Sequence, residues 1–224
     1  HSLPLIPISP NSLPILALRP LYCHALNTLQ QVLEIAAVWL VVPPRSQDEV
    51  IATLGSQTPL RFPIHVIPGG DERQDSVTKA VDMLPKEVSL IVVHDAARPF
   101  ASAQLFESCI AAARLHGAAI AALPLTDTVK LVESGVVQKT LDRTRTWVAQ
   151  TPQVARAQWL RDALRKARDA SLRFTDEAGA LEQCGYSVHV VRGEEWNRKL
   201  TTPDDWDWAE WFIQHRHQPR PEAP

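Results

Sequence analysis

Glycine is scarce in this chain. It occupies 8 of 224 positions, and none precedes Gly55. That excludes a glycine-rich phosphate loop near the start, whether of the Walker pattern or of G-x-G-x-x-G. Cysteine is scarcer, at 3, and Cys23, Cys109 and Cys184 are far apart. No CxxC pair or zinc spacing occurs, so reduced, buried thiols in a cytoplasmic chain are expected. Charge of one sign is also missing. Lys and Arg number 23 against 25 Asp and Glu, a net charge of −2. No general basic surface suggests nucleic acid, although a local cluster could bind a small anion. The most apolar run, Ile35 to Val42, stops at Pro43-Pro44 and is far short of the roughly 20 residues that span a bilayer. No basic stretch precedes an apolar one, so neither a signal peptide nor a membrane partner is expected. His215 and His217, in the polar tail, read as solvated rather than as metal ligands.

What is present suits one α/β domain over residues 1–224. Apolar residues make up 45%, enough for a core. Short runs rich in Val, Ile and Ala predict strands at Ala37–Val42, Ile64–Ile67, Ser89–Val93, Ala118–Leu125 and Ser187–Val191. They lack clean alternation, as strands buried on both faces do. Amphipathic stretches between them predict helices at Leu21–Glu34, Asp75–Leu84, Ser102–His116, Arg156–Ala170 and Thr175–Cys184. Ser102 can cap its helix, and Gly117 can end it. A last helix starts after Thr202 as N-cap, with Pro203 first and Asp204 and Asp205 in its opening turn. Its aromatic residues read as core or interface. Alternating strands and helices imply a doubly wound, mostly parallel sheet, with ligands beyond the carboxyl ends of the strands. One segment breaks the alternation. Residues 128–143 read as two extended runs about a turn at Glu133-Ser134-Gly135. The projecting β-arm, about 127–150, needs something to pack on, such as a second subunit.

The residues with chemical potential fall in the connections. Pro68-Gly69-Gly70-Asp71 follows a strand and runs through Ser76 into a helix. Its glycines could turn backbone amides toward a ligand, or it could be a plain turn before a capped helix. Val93-His94-Asp95-Ala96-Ala97-Arg98 follows another strand. Asp95 could coordinate Mg²⁺, which takes carboxylate and phosphate oxygens, or cap a turn. Arg98 could hold a phosphate, with an ion pair to Asp95 as the default. Thr126, Asp127 and Thr128, then Asp142-Arg143 and Thr151-Pro152-Gln153, offer hydroxyls and an arginine suited to phosphate or to surface turns. Phe174-Thr175-Asp176-Glu177 reads as a helix start with a hydroxyl cap. Lys199, just before the last helix, could neutralise a transferring phosphoryl group or lie solvated on the surface.

Taken together and in order, GGDERQDSV, VHDAARPF, DTVK, DR…TPQ, FTDEAGALEQCGY and NRKLTTPDDW resemble the 2-C-methyl-D-erythritol 4-phosphate cytidylyltransferase family, from about residue 37 to 212. The resemblance implies a nucleotidyltransferase fold of the nucleotide-diphospho-sugar type and a homodimer joined through the arms. It implies a reaction of CTP with methylerythritol phosphate that gives the CDP-linked alcohol and pyrophosphate, with Mg²⁺ required. By position Gly69, Gly70, Asp71, Ser76 and Ala96 would hold the nucleotide. Asp95 would sit by the metal and phosphates, with Arg98 nearby. Thr128 and Arg143 would reach across the dimer to the substrate phosphate, with Thr151 and Thr175 lining that pocket. Lys199 would stabilise the α-phosphate.

The start of the chain departs from the family pattern, which has a strand, then A-A-G-x-G-x-R, then P-K-x. Leu3–Ile8 could serve as the strand. Ser9, Asn11 and Ser12 could replace some loop contacts without positive charge, while Pro10 and Pro14 lack amide donors. LALRPL, residues 16–21, resembles the family's L-x-G-x-P-L. Two further readings therefore stand beside the enzyme: a relative that binds but turns over poorly, and a cytidylyltransferase for another sugar-alcohol phosphate, such as ribitol 5-phosphate.

Overall fold

The computed structural model describes residues 2–7, 15–56 and 59–215. Ser9, Asn11, Ser12 and His217 lie outside the described residues, and so does the geometry of the divergent loop.

The first strand, β1 (Ser2–Pro7), lies in the interior of a seven-stranded sheet. A two-stranded hairpin follows, β2 (Ile15–Leu16) and β3 (Arg19–Pro20). Both residues of its tip, Ala17 (φ 49°) and Leu18 (φ 63°), are left-handed, as a two-residue turn matched to strand twist requires. Next come α1 (Leu21–Leu29), β4 (Val38–Val42), a short 3₁₀ turn at Pro44–Ser46, α2 (Gln47–Gly55), β5 (Ile64–Pro68), α3 (Arg73–Met83) and β6 (Leu90–Val93). The second half holds α4 (Ala103–His116), β7 (Ala118–Pro124), β8 (Lys130–Glu133), β9 (Val136–Thr140), β10 (Trp147–Arg156), α5 (Ala157–Asp169), α6 (Glu177–Gln183), β11 (His189–Arg192) and α7 (Pro203–His215).

The sheet order is β11-β7-β10-β6-β1-β4-β5. Neighbours are parallel except where β10 inserts antiparallel between β6 and β7. The mostly parallel sheet is as expected, but β10 was not. Its apolar residues are interrupted by Gln150, Thr151 and Gln153, so the segment reads as a polar connection. All three are buried, because the polar groups are satisfied inside the fold rather than by water.

Successive residues in a strand face opposite sides, and both sides are covered. Val38, Leu40 and Val42 of β4 and Leu90 and Val92 of β6 join one core with α1 and α4. Trp39, Val41, Ile91 and Val93 join the other core with α3, α5 and α6. A third cluster packs Leu200 and Ala209 against Leu16 and Phe100, with Trp208 and Phe212 beside them. Trp206, Trp208 and Phe212 of α7 are therefore packing residues, while Trp211 is exposed.

Helix ends follow local chemistry. Ser102 caps α4 by accepting from the Leu105 amide (3.1 Å), and Gly117, at φ 99°, ends it. Thr202 caps α7 through Asp205 N–H (3.3 Å), and the Asp205 carboxylate accepts from Thr202 N–H (2.9 Å). Several expected boundaries move. Helix α1 stops at Leu29 rather than Glu34, since the Arg61 guanidinium collects the carbonyls of Leu29, Gln30 and Ile35 in a turn. Helix α6 is capped not by the Thr175 hydroxyl but by Asp176, whose carboxylate accepts from Gly179 N–H at 3.0 Å.

Strands β8 and β9 pair with each other outside the main sheet. Every residue of both is exposed. Ser134 (φ 48°) and Gly135 (φ 80°) make their turn. Trp147 and Val148, placed in the arm by sequence, belong to the main sheet opposite Pro124 and Leu123.

Candidate active site

The parallel strands β1, β4, β5 and β6 present their carboxyl ends along one rim, and β10 enters from that same rim. Between Ala149 and Gln153 the β10–β7 register shifts. Bulges of this kind re-aim side chains, and this one sets Thr151 under the end of β6. The Thr151 hydroxyl accepts from the Asp95 amide (3.0 Å) and contacts His94 Nδ1 (3.0 Å). His94 Nε2 reaches the Arg98 carbonyl (3.0 Å). A neutral ring satisfies the chain: Thr151 O–H donates to Nδ1, and Nε2–H donates to Arg98. His94 has no exposed surface. Burial pushes its pKa down to about 4.

Asp95 is the hub. Arg73 Nε donates to one carboxylate oxygen (3.0 Å), and Lys199 Nζ lies 3.0 Å from the other. Arg73 also grips both oxygens of Glu177, at 2.7 and 2.9 Å. Burial alone would raise the Asp95 carboxyl. The Arg73 and Lys199 charges outweigh it and hold the group at about 2. Burial opposes the charge on Arg73 as well, and its two carboxylate partners outweigh it. Asp95 is therefore an anion across the physiological range.

Surrounding polar groups fix this chain of charges. Arg98 donates to the carbonyls of Asn197 (2.8 Å) and Ala149 (3.4 Å). The ion pair expected between Arg98 and Asp95 is not what forms. The turn that bonds Arg98 N–H to the Asp95 carbonyl (2.9 Å) leaves the carboxylate to Arg73 and Lys199. The Arg98 Nε is buried and has no hydrogen-bond partner. Asn197 donates to the Thr151 carbonyl (2.8 Å), and Leu200 N–H bonds the Ala97 carbonyl (2.8 Å), so Lys199 is carried to Asp95 by its neighbours. Gln153 accepts from the amides of Glu177 (3.1 Å) and Ala178 (3.0 Å), which ties α6 to β10.

Of the two readings of the glycine loop, its amides follow the plain turn before a capped helix. The Gly69 amide bonds the Val42 carbonyl (2.8 Å), and the Gly70 amide bonds the Ser76 hydroxyl (3.0 Å), so both amides are engaged within the protein. A Cβ on Gly70 would stand 2.4 Å from that of Asp75. The glycine is needed for close approach of loop and helix. A reciprocal cap between Glu72 and Asp75 starts α3 two residues before the expected Asp75, which puts Arg73 at its first turn beside Asp95. Asp71 is exposed in this loop and Ala96 is buried beside Asp95.

The remaining expected residues do not join the cluster. Arg143 is exposed and donates to the Thr126 carbonyl (3.0 Å) at the base of the arm. Thr128 and Thr175 are exposed. Sequence reasoning overlooked Arg73, Glu177, Gln150, Gln153 and Asn197. Arg73 and Glu177 stand inside GGDERQDSV and FTDEAG, where charged residues at helix starts look like ordinary caps. Their meeting across 104 residues leaves no local signal.

Comparison with known proteins places the chain in a family. The family model for 2-C-methyl-D-erythritol 4-phosphate cytidylyltransferase matches residues 9–215. A protein of that name from Microcystis aeruginosa is 36% identical over 199 residues, covering 88% of each chain. One from Thermosynechococcus vestitus is 40% identical over 185 residues, covering 82% of this chain and 79% of its own. A crystal structure of 4-diphosphocytidyl-2C-methyl-D-erythritol synthase from Anaerococcus prevotii superposes with a TM-score of 0.86 at 28% identity, covering 95% of this chain and 98% of the other. That of the cytidylyltransferase from Thermus thermophilus gives 0.79 at 30% identity, covering 94% and 98%. With the rim built around Asp95 and a match that runs through nearly the whole fold, the chain belongs to the 2-C-methyl-D-erythritol 4-phosphate cytidylyltransferase family.

Proposed function

We propose that the protein joins CTP to 2-C-methyl-D-erythritol 4-phosphate, giving 4-diphosphocytidyl-2-C-methyl-D-erythritol and pyrophosphate. The observation that carries this is the contact of Lys199 with Asp95 at the strand-end rim. It unites residues more than 100 positions apart, each in a segment that resembles the family. A phosphate oxygen of the alcohol attacks the α-phosphorus in line, the bond to the bridging oxygen breaks, and pyrophosphate leaves. The nucleophile is already an anion, so no general base is needed. Positioning and charge neutralisation supply the rate.

Lys199, half-exposed, turns from Asp95 to the α-phosphate as negative charge builds there. The loop of Gly69, Gly70, Asp71 and Ser76, with Ala96, frames the nucleotide. Asp95 fits Mg²⁺, which is held by one or two carboxylates together with substrate phosphates rather than by an all-protein cage. No group of three or more His, Cys, Asp or Glu arranged for a metal exists among the described residues. Bound there, the ion would neutralise phosphate charge.

Thr128 and Arg143, away from the hub in one chain, serve the partner's substrate phosphate in a homodimer, with Thr151 and Thr175 lining the same pocket. The arm's exposed Leu131, Val132, Val136 and Val137 supply an apolar surface for that association. No disulfide joins Cys23, Cys109 or Cys184, which fits a cytoplasmic setting. No helix among the described residues is long and apolar enough to cross a membrane.

The test is pyrophosphate release with CTP and Mg²⁺, run in parallel on methylerythritol phosphate and ribitol 5-phosphate. Preference for ribitol would replace the proposed substrate. Tight binding without pyrophosphate from either would reveal a binding protein instead.

A further inference from the structure

We propose that Arg73 and Glu177 are a positioning pair that aims Asp95 for the reaction: Glu177 immobilises the Arg73 guanidinium, and Arg73 holds one Asp95 oxygen so that the other can exchange partners. The inference rests on the cytidylyltransferase reading.

Four alternating charges run through the site in the order Glu177, Arg73, Asp95 and Lys199. Their side-chain exposures are 4%, 26%, 11% and 42%. The buried end is rigid, and the open end can move. Both oxygens of Glu177 and three different nitrogens of Arg73 are committed. A planar guanidinium can bridge two carboxylates in this way, and an ammonium cannot. Asp95 thus keeps a fixed contact on Oδ1 and a replaceable one on Oδ2. With Lys199 in place the four charges cancel. Once Lys199 turns toward a phosphate, the remaining three leave one negative charge at the rim. Glu177 is what makes that remainder negative rather than neutral, although it has no contact with the open side.

A purely structural role has a different signature. An ion pair that only ties α3 to α6 could be replaced by apolar residues with little loss, since desolvation offsets much of its attraction. The experiment uses the full chain in four variants: Arg73→Met, Glu177→Gln, Arg73→Lys and Arg73→Met/Glu177→Met. Thermal midpoint, kcat and KM for CTP are measured for each. The orientation of the Asp95 carboxylate is read from crystal structures without ligands of the wild type and of the two variants in which Met replaces Arg73.

The double variant is expected to melt near the wild type yet show a kcat lower by about 10-fold or more, as misplaced catalytic groups do, with KM for CTP little changed. In the ligand-free protein the Asp95 carboxylate leaves its wild-type orientation wherever Met replaces Arg73. Glu177→Gln lowers kcat despite its matching shape, and Arg73→Lys does not restore it. A double variant with wild-type stability and wild-type kcat overturns the proposal. If that variant does not fold, an unchanged kcat in Glu177→Gln does the same. An unchanged Asp95 carboxylate position in Arg73→Met overturns it whether or not the wild type releases pyrophosphate. Failure of the wild type to release pyrophosphate counts against the proposed reaction, a separate result.

Discussion

Lys199 Nζ and Arg73 Nε approach Asp95 on opposite carboxylate oxygens, each at 3.0 Å. The arrangement gives the two cations different fates, because Lys199 is open to solvent and Arg73 is tied to Glu177. Lys199→Ala is expected to lower kcat by about 10²- to 10³-fold, the scale for one preorganised electrostatic group. Its effect on folding should stay below about 1 kcal/mol, since the pair is partly exposed. Steady-state kinetics and urea unfolding on the same sample check both halves. A destabilised protein with normal kcat would make the contact structural.

Acid should weaken the fold through His94. Its folded pKa lies near 4, below the ordinary 6.5, so the unfolded chain takes up the proton first. The stabilising contribution is complete above pH 6.5 and disappears as pH falls toward 4. A shift of this size corresponds to about 3 kcal/mol. Urea midpoints at pH 7 and 4.5 should differ accordingly, and His94→Gln should flatten the difference. Asp95, at about 2, adds a second loss only between its unfolded value and pH 2.

Leu18 stands where the family pattern L-x-G-x-P-L has glycine, and its φ is 63°. A left-handed leucine costs about 1–2 kcal/mol. Glycine recovers that at an entropy cost of about 0.5–1 kcal/mol. Leu18→Gly should therefore stabilise the protein by about 0.5 kcal/mol, seen as a higher thermal midpoint. A lower midpoint would mean that the exposed leucine makes a contact elsewhere.

Gly117 tolerates nothing larger. Its φ is 99°, and a Cβ would fall 2.2 Å from the Trp159 ring. Gly117→Ala should cost about 2–4 kcal/mol from backbone strain and overpacking together. Equilibrium unfolding measures it.

Arg143 and Lys199 offer a test of shared sites. If arms cross between subunits, Arg143→Ala and Lys199→Ala chains co-expressed should recover part of the lost activity, because some dimers hold one intact site. Heterodimers that form and stay inactive would confine each site to one chain.

The sequence made the scaffold legible where burial leaves a pattern. Val38–Val42 and Leu90–Val93 are apolar on both faces, and Ser102 and Gly117 mark their helix ends through local chemistry. It also named Asp95 and Lys199. It did not show their contact, nor the part of Arg73 and Glu177, because ion pairing across the fold leaves no periodicity. Strand β10 escaped for a related reason: Gln150, Thr151 and Gln153 are satisfied only by groups that other elements bring. The glycine loop left two readings open in sequence, and the contacts of Gly69 and Gly70 with Val42 and Ser76 follow the plain turn.

Running against both its neighbours, β10 begins beneath the arm, passes Thr151 and ends at Arg156. Length changes should therefore be tolerated very unequally along this stretch. Residues added at the Ser134-Gly135 tip extend a hairpin that stands outside the sheet. A single residue added between Thr151 and Gln153 would turn each later side chain to the opposite face, withdrawing Gln153 from α6 and emptying Val154 from the core. Natural variation in arm size can thus accumulate at the tip while the strand below it keeps a fixed length.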